Sequence, residues 1–357
     1  MTTQQSTAVT PLSSPKEGGW QAVYIFYTGN PRPVMTQFVK PLVDELTTDR
    51  LIARYFFLNY WLEGPHIRLR LKPSRPEYEA EVRRRTEEAL TGFLRNRPSL
   101  YEVKSDFYVG LYNTLFDLEF TPEERIPYLG PDGAMRLRKN NTFSWETYEP
   151  EFGKYGGPAG VELAEWHFKY SSDLVIDAIR TMNLHVRTVL LGTASQLMMV
   201  MSSSFLGDRP RMANFLERYH QFWHGAFSDT DLITGRTYDA NYESMAEPVR
   251  SRFESIHTAL ESSESGRLTG FVRDWAEHCA ELRDRARVLA VNGDLIFRSW
   301  DGKRNDTVTD PDRAIELLLS PYMHMTNNRL HVTVTDEAYL SHVLARSLRE
   351  WLPAEAG

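Results

Sequence analysis

The chain has 357 residues and a single cysteine, Cys279. One thiol excludes an internal disulfide framework and a multi-cysteine zinc site, and it fits the reducing cytoplasm. Cys279 sits in the helical pattern DWAEHCAEL, where a buried structural thiol is the ordinary role. An excess of positive charge is missing as well. The 41 Lys and Arg against 48 Asp and Glu leave a net charge of −7, which argues against a nucleic-acid surface. The opening MTTQQSTAVTPLSSPKEGG has no apolar core, so it is no signal peptide, and its composition predicts a disordered tail over residues 1–18. The longest uncharged stretch, TVLLGTASQLMMVMSSSFL at 188–206, is nearly of membrane length. Ser, Thr, Gln and Gly interrupt it, so a buried core helix is expected and no membrane partner. The sequence has no P-loop, no dinucleotide glycine fingerprint and no GxSxG elbow. Those absences remove most familiar cofactor enzymes, and no metal or organic cofactor is expected.

What remains is ample material for a core: 41% hydrophobic and 12% aromatic residues. WQAVYIFYTG (20–29) reads as a strand, followed by a helix over 33–50 bent at Pro41. Strands at 51–61 and 66–72 flank a Glu63-Gly64-Pro65 turn and predict a hairpin, and 75–97 is a charged amphipathic helix. Residues 101–146 look irregular, and 160 to about 290 look mainly helical, with Ser171, Ser172 and Asp173 as a cap for a second helix there. After a loop at 322–328, a strand near 329–334 and a closing helix begun by Thr335 or Asp336 are expected. The sum is an α+β fold: an antiparallel sheet with helices packed on it, plus a mainly helical second half. A single domain over 19–357 is expected, with 19–100 its sheet-forming part and 160–300 its helical part.

Three stretches can carry chemistry. In HIRLRLK (66–72), strand alternation puts Ile67, Leu69 and Leu71 on one face and His66, Arg68, Arg70 and Lys72 on the other. Same-face neighbours lie roughly 7 Å apart, so Arg68 and Arg70 can converge on one carboxylate or phosphate. A polar strand face that meets water or helix glutamates explains the same spacing. TYEPEFGKYGGP (147–158) gathers Tyr148, Glu149, Glu151, Lys154 and Tyr155 around paired glycines, which is also what an ordinary loop before a helix contains. In YMHMTNNRLHV (322–332), His324 is a candidate acid/base, with Asn327, Asn328 and Arg329 to orient it or bind a substrate amide. A turn of backbone-bonded asparagines reads equally well. His220 and His224 share a helix face, but no HExxH pattern or third ligand accompanies them, and histidines packed among aromatics explain them better.

GPHIRLRL, YEPEFGKYGGPAGVELAEWHFKYSSDLV and HMTNNRL, in this order, resemble the elimination domain of class I lanthipeptide dehydratases in its stand-alone form. The resemblance runs from about Trp20 to the C-terminus. It implies a lyase that removes glutamate from glutamylated Ser or Thr of a precursor peptide, leader and core, and leaves a dehydroamino acid. It implies that Arg68 and Arg70 bind glutamate or the enolate, and that His324 is the acid/base. Lys154 stands where members of the family carry arginine before Tyr-Gly-Gly, keeping the charge but losing the bidentate fork. Tyr148, Glu149, Tyr155, Asn328 and Arg329 are the implied substrate-binding groups. The partners would be the precursor peptide, a separate tRNA-dependent glutamylating subunit and a second copy of the chain. A second branch of the family implies a different reaction, the aza-[4+2] cycloaddition of two dehydroalanines by thiopeptide pyridine synthases, with leader release; Tyr148, Glu149, Tyr155, Tyr219 and His220 are the groups to examine for it. A non-catalytic peptide-binding subunit is the third reading.

Overall fold

The structure is a computed structural model that describes residues 19–101, 105–131, 133–227, 235–262, 265–268, 270–299 and 302–351; the expected tail at 1–18 lies outside them. Strand β1 (Gln21–Phe26) leads into helix α1, which begins at Arg32–Val34, widens to a π-helical stretch at Met35–Val39 and continues as Lys40–Thr48. Sequence predicts a bend at Pro41. The helix instead widens just before it, because proline donates no hydrogen bond and crowds the preceding turn.

Strands β2 (Ile52–Tyr60) and β3 (His66–Pro73) form the expected hairpin, whose turn holds Glu63 at φ 59° and Gly64 at φ 108°. Helix α2 (Glu79–Asn96) follows. The segment read as irregular holds helix α3 (Ser105–Glu119) and the fourth strand, β4 (Thr142–Glu146). That strand is only five residues long and lacks clean alternation, so its pairing with β1 is what defines it. The sheet order β2-β3-β1-β4 is antiparallel throughout, and with α1 and α2 it makes a βαββαβ unit.

One sheet face is apolar. Val23, Ile25, Ile67, Leu69 and Leu71 are buried in a core with Phe38, Leu42 and Val39 of α1 and Val82 and Leu90 of α2. The other face carries the arginines and is covered by the second half of the chain. There a one-turn helix α4 (Phe152–Tyr155) is followed by α5 (Gly157–Thr181), α6 (Arg187–Leu206), α7 (Arg209–Ala226), α8 (Gly235–Glu261) and α9 (Gly270–Val291). A small hairpin, β5 (Ile296–Arg298) and β6 (Asn305–Thr307), precedes α10 (Pro311–Leu330) and α11 (Val334–Trp351).

Helix α6 is long and apolar enough to cross a membrane, but 72% of its apolar window is buried within the fold, so it is the expected core helix. The Cys279 thiol is buried in α9, as expected.

Three local expectations are corrected. Ser171, Ser172 and Asp173 do not cap a helix, because α5 runs straight through them; the chain breaks only after Thr181, where Met182 turns extended (φ −115°, ψ 152°). The loop at 322–328 and the strand near 329–334 are instead the end of α10 and its exit. Apolar spacing through Leu318, Leu319, Tyr322 and Met325 continues the helix, and His331 ends it at φ 64°. Finally, Thr333 begins α11: its Oγ1 accepts from the Asp336 N–H at 3.2 Å, and Asp336 Oδ2 accepts from the Thr333 N–H at 3.3 Å. The β-branched HVTVT imitated a strand, whereas its threonine serves as a cap.

Candidate active site

The alternation of β3 holds in the structure: Ile67, Leu69 and Leu71 are at most 2% exposed on the core side. The register places Arg68 opposite Tyr24 and Leu58, and Arg70 opposite Ala22 and Phe56. The Arg68 guanidinium lies 3.5 Å from the Tyr60 ring centroid and 4.5 Å from that of Tyr24. Arg70 lies between Tyr24 and Tyr148, 5.2 and 5.0 Å from their centroids. Aromatic faces attract cations, so three tyrosines form a box that holds two like charges side by side.

His66 completes the box. Gly64 O can only accept, so the 2.9 Å bond from His66 must carry the proton on Nδ1; that leaves Nε2 to accept from Arg68 Nε–H at 3.0 Å. Burial first, then the Arg68 charge, push the His66 pKa down to about 3, so the imidazole stays neutral and keeps Arg68 in place. Burial likewise lowers the Arg68 pKa. The Tyr60 wall is tied to α3, where Glu119 accepts from Tyr60 Oη at 2.7 Å and from Trp61 Nε1 at 3.1 Å.

Arg70 differs from Arg68. It is only 4% exposed, and its Nε and Nη1 are buried with no hydrogen-bond partner. No carboxylate pairs with it among the described residues. A buried cation without a counterion costs several kcal/mol unless something else supplies the charge.

A pH dependence follows from the buried imidazoles. His278 is also pushed down to about 3, mainly by burial, and His167 is lowered with it. The unfolded chain protonates near pH 6.5 while the folded one does not. Stability is therefore expected to fall as pH drops from about 6.5 toward 3, by up to about 1.4 kcal/mol per pH unit for each such histidine. Urea unfolding at a series of pH values measures this, and a flat profile between pH 6 and 4 would contradict it.

The segment 147–158 lies against the box. Burial and the nearby Glu165 carboxyl push the Tyr148 phenol up, and Glu165 is itself only 5% exposed, with a pKa that burial raises. Tyr155 is buried, and its place depends on glycine. Gly156 and Gly157 take φ 86° and 79°, and a Cβ on Gly160 would stand 1.7 Å from the Tyr155 carbonyl oxygen. Lys154 and Glu149 are exposed. Lys154 pairs with Glu151 at 3.3 Å, and the Glu151 carboxylate acts on the Tyr60 and Tyr155 phenols. This loop is therefore a charged rim beside the arginines.

The third stretch divides. The Asn328 amide bonds to the edge of β2: its Oδ1 accepts from the Asn59 N–H at 2.9 Å and its Nδ2 donates to Asn59 O at 2.8 Å. Asn59 Nδ2 answers by donating to Asn328 O at 2.7 Å. Ser172 covers the same edge, accepting from the Phe57 N–H at 3.2 Å. The Asn328 side chain thus serves the fold, sealing an edge that would otherwise be open. Asn328→Ala leaves the Asn59 backbone groups unmet and is expected to cost about 1–3 kcal/mol per group, read as a lower urea midpoint; an unchanged midpoint would show the clamp to be idle. Arg329 lies in the interior at 1% exposure, its guanidinium 4.4 Å from the Phe168 ring.

His324 is half-buried, and a residue the motifs did not single out orients it. Its Nδ1 donates to Glu337 Oε1 at 3.0 Å, and Glu337 is fully buried. Tyr219 donates to the other oxygen, Oε2. The Trp223 ring lies 5.0 Å from the imidazole. Carboxylate and phenol together fix the tautomer, so Nε2 is the nitrogen left to take a proton.

The structure brings Arg68, Arg70 and Tyr148 into one box, with Lys154 on its rim. Tyr155 and Arg329 lie in the interior beyond it. No hydrogen bond, ion pair or ring contact joins His324 to either arginine among the described residues. The link is indirect. Asn328, one helical turn after His324, clamps Asn59, and Asn59 adjoins the Tyr60 that carries Arg68. His220 and His224 stack at 5.2 Å between ring centroids, with His342 5.0 Å from His220. Among the described residues no group of three or more His, Cys, Asp or Glu is arranged to hold a metal. Tyr24, Tyr60, Glu165 and Glu337 are not legible in the sequence because each acts on a residue from a different element, whereas His66 acts within its own strand, on Arg68. Only His66 had a signal, in its place beside the arginines on the polar strand face.

Comparison with known proteins agrees with this architecture. Among solved structures, the chain is similar to the pyridine synthase TbtD from thiomuracin biosynthesis, at 22% identity and TM-score 0.69, covering 93% of this chain and 98% of that one. It is similar to TsrL at 15% identity and TM-score 0.63, covering 94% and 95%. The tRNA dependent lantibiotic dehydratase MibB from Microbispora sp. 107891 matches at 15% identity and TM-score 0.52, over 96% of this chain but 29% of that one. At such identities the likeness is one of fold. No curated protein sequence matches. Residues 20–348 match the family described as the lantibiotic biosynthesis dehydratase C-terminal domain. That match spans the box, the glycine-held loop and the His324 helix, and the chain belongs to this family.

Proposed function

We propose that the chain modifies a ribosomally made precursor peptide by eliminating glutamate from glutamylated Ser or Thr. The observation that carries this reading is Arg70, a buried guanidinium whose Nε–H and Nη1–H meet no acceptor. A substrate carboxylate would supply an acceptor on one edge of this guanidinium, since Nε–H and Nη1–H point to different edges of the plane. In the reaction a base takes the α-proton, its electrons form the Cα=Cβ bond, the Cβ–O bond breaks, and glutamate leaves as a carboxylate. Arg70 and Arg68 face the charge that develops on the enolate and the leaving group, in a site whose donors are fixed beforehand. His324, held by Glu337, moves the proton. Lys154 adds charge at the rim, and Tyr148 shapes the wall. A separate tRNA-dependent subunit would supply the glutamylated peptide, and a homodimer would be the working form.

One observation favours the second reading, a pyridine synthase. The Lys154 charge is tied to Glu151 rather than left free for a departing carboxylate, while Tyr219, Glu337 and His324 form a separate acid/base group. Two substrates separate the readings: a glutamylated core peptide, and a leader-bearing peptide that already contains dehydroalanines. Mass loss of glutamate from the first supports elimination. Release of a leader fragment from the second supports cycloaddition. If the protein binds both and alters neither, it is a recognition subunit and both reactions are refuted.

A further inference from the structure

Beyond the arginine box lies a second buried cation that the proposed reaction does not use. Arg329 is 1% exposed; its Nε donates to Ser172 Oγ at 3.3 Å and its Nη1 to Met325 O at 2.8 Å. Both acceptors are neutral, Nη2 has no partner, and no carboxylate pairs with the guanidinium among the described residues. The walls repeat the pattern. Tyr155 is 3% exposed and Tyr322 fully buried; their rings stack with centroids 6.0 Å apart, and both hydroxyls are buried without a partner. Tyr155 and Arg329 act on each other electrostatically, as do Tyr155 and Tyr322. Three donors, Tyr155 from α4 and Tyr322 and Arg329 from α10, therefore lie in one interior region where no carboxylate meets them among the described residues.

Buried polar groups are ordinarily satisfied, and a buried charge is ordinarily paired. Burial lowers the Arg329 pKa to about 9, the direction expected of a cation that lacks a counter-charge. We propose that Arg329 Nη2, with the Tyr155 and Tyr322 hydroxyls, binds a small monovalent anion, either a halide or a formate-sized carboxylate, inside the fold. The guanidinium can only donate, and both hydroxyls can turn their hydrogens toward the same point, so an anion there would take all three and also supply the missing counter-charge, which a water cannot. This site does not rest on the glutamate reading, because Arg329 and Arg70 are separate orphan cations.

The test uses the full chain. Thermal unfolding is followed against sodium formate or sodium bromide, with sodium gluconate at matched ionic strength as an anion too large to enter. The wild-type midpoint is expected to rise by a few degrees and saturate with formate and bromide, as for a ligand that binds only the folded state. Arg329→Met is expected to start at the same midpoint or higher, since it removes an unpaired buried charge, and then to ignore the anion. Tyr155→Phe combined with Tyr322→Phe keeps the rings and is expected to weaken the response at least tenfold in concentration. Crystals grown in bromide should show an anomalous peak within hydrogen-bonding distance of Arg329 Nη2. Equal responses of wild type and Arg329→Met, or ordered water alone at that position, would overturn the proposal. Loss of peptide turnover leaves this outcome untouched, so the two readings fail separately.

Discussion

Arg70→Met is expected to abolish glutamate loss from a glutamylated core peptide while leaving the protein as stable as before, or more so. The two effects have one origin. Arg70 is buried with two N–H groups unmet, so the fold bears the cost of desolvating its charge and regains only the attraction of the Tyr24 and Tyr148 rings. Methionine fills a similar volume without the charge. The same change removes a fixed donor from the place where carboxylate and enolate charge would gather, and losing one such donor costs roughly 10²–10³-fold in rate. Arg68→Met is expected to behave differently, because Arg68 is bonded to His66 and stacked on Tyr60. It should lose stability together with activity. Single-turnover mass spectrometry and urea unfolding on the same preparations give both readouts. Normal glutamate loss by Arg70→Met would remove Arg70 from the site; no glutamate loss by the wild type, with conversion of the dehydroalanine peptide, would move the assignment to cycloaddition.

Glu337→Gln is expected to lower kcat by roughly 10²–10⁴-fold, about as much as His324→Ala, with little change in KM. Glutamine can still fill the space, but its amide can turn a donor toward the imidazole and invert the tautomer that the 3.0 Å Nδ1–Oε1 bond now selects. Because the carboxylate works only through the imidazole, the double variant should be no worse than the worse single one. Tyr219→Phe removes the donor to the second carboxylate oxygen and should give a smaller loss. Additive losses in the double variant would show Glu337 to act independently of His324, as a structural group in the core of α11.

The sheet half of the fold is legible in local pattern. Alternation in HIRLRLK separates Ile67, Leu69 and Leu71 from Arg68 and Arg70, and the structure keeps that separation. Helical spacing fixes α2 and the buried α6 equally well. Legibility fails where two local signals compete. HVTVT has the composition of a strand but begins a helix through Thr333, and TFSWE is a strand only because β1 lies beside it. The motif histidine was visible from HMTNNR, yet the neighbouring Asn328, visible in the same motif, holds the edge of β2.

By itself, then, the sequence determined the side-chain period of each element, the absence of disulfide and multi-cysteine metal chemistry, and the placing of two arginines on one strand face. Only the tertiary structure decided what those arginines meet. Tyr24 comes from β1, Tyr60 from β2 and Tyr148 from a loop after β4, and Glu337 reaches His324 from the next helix. Periodicity is a property of neighbours along the chain, whereas charge compensation depends on register and packing between segments far apart in it. For that reason Arg68 and Arg70, two residues apart and chemically identical, end as one satisfied cation and one orphan.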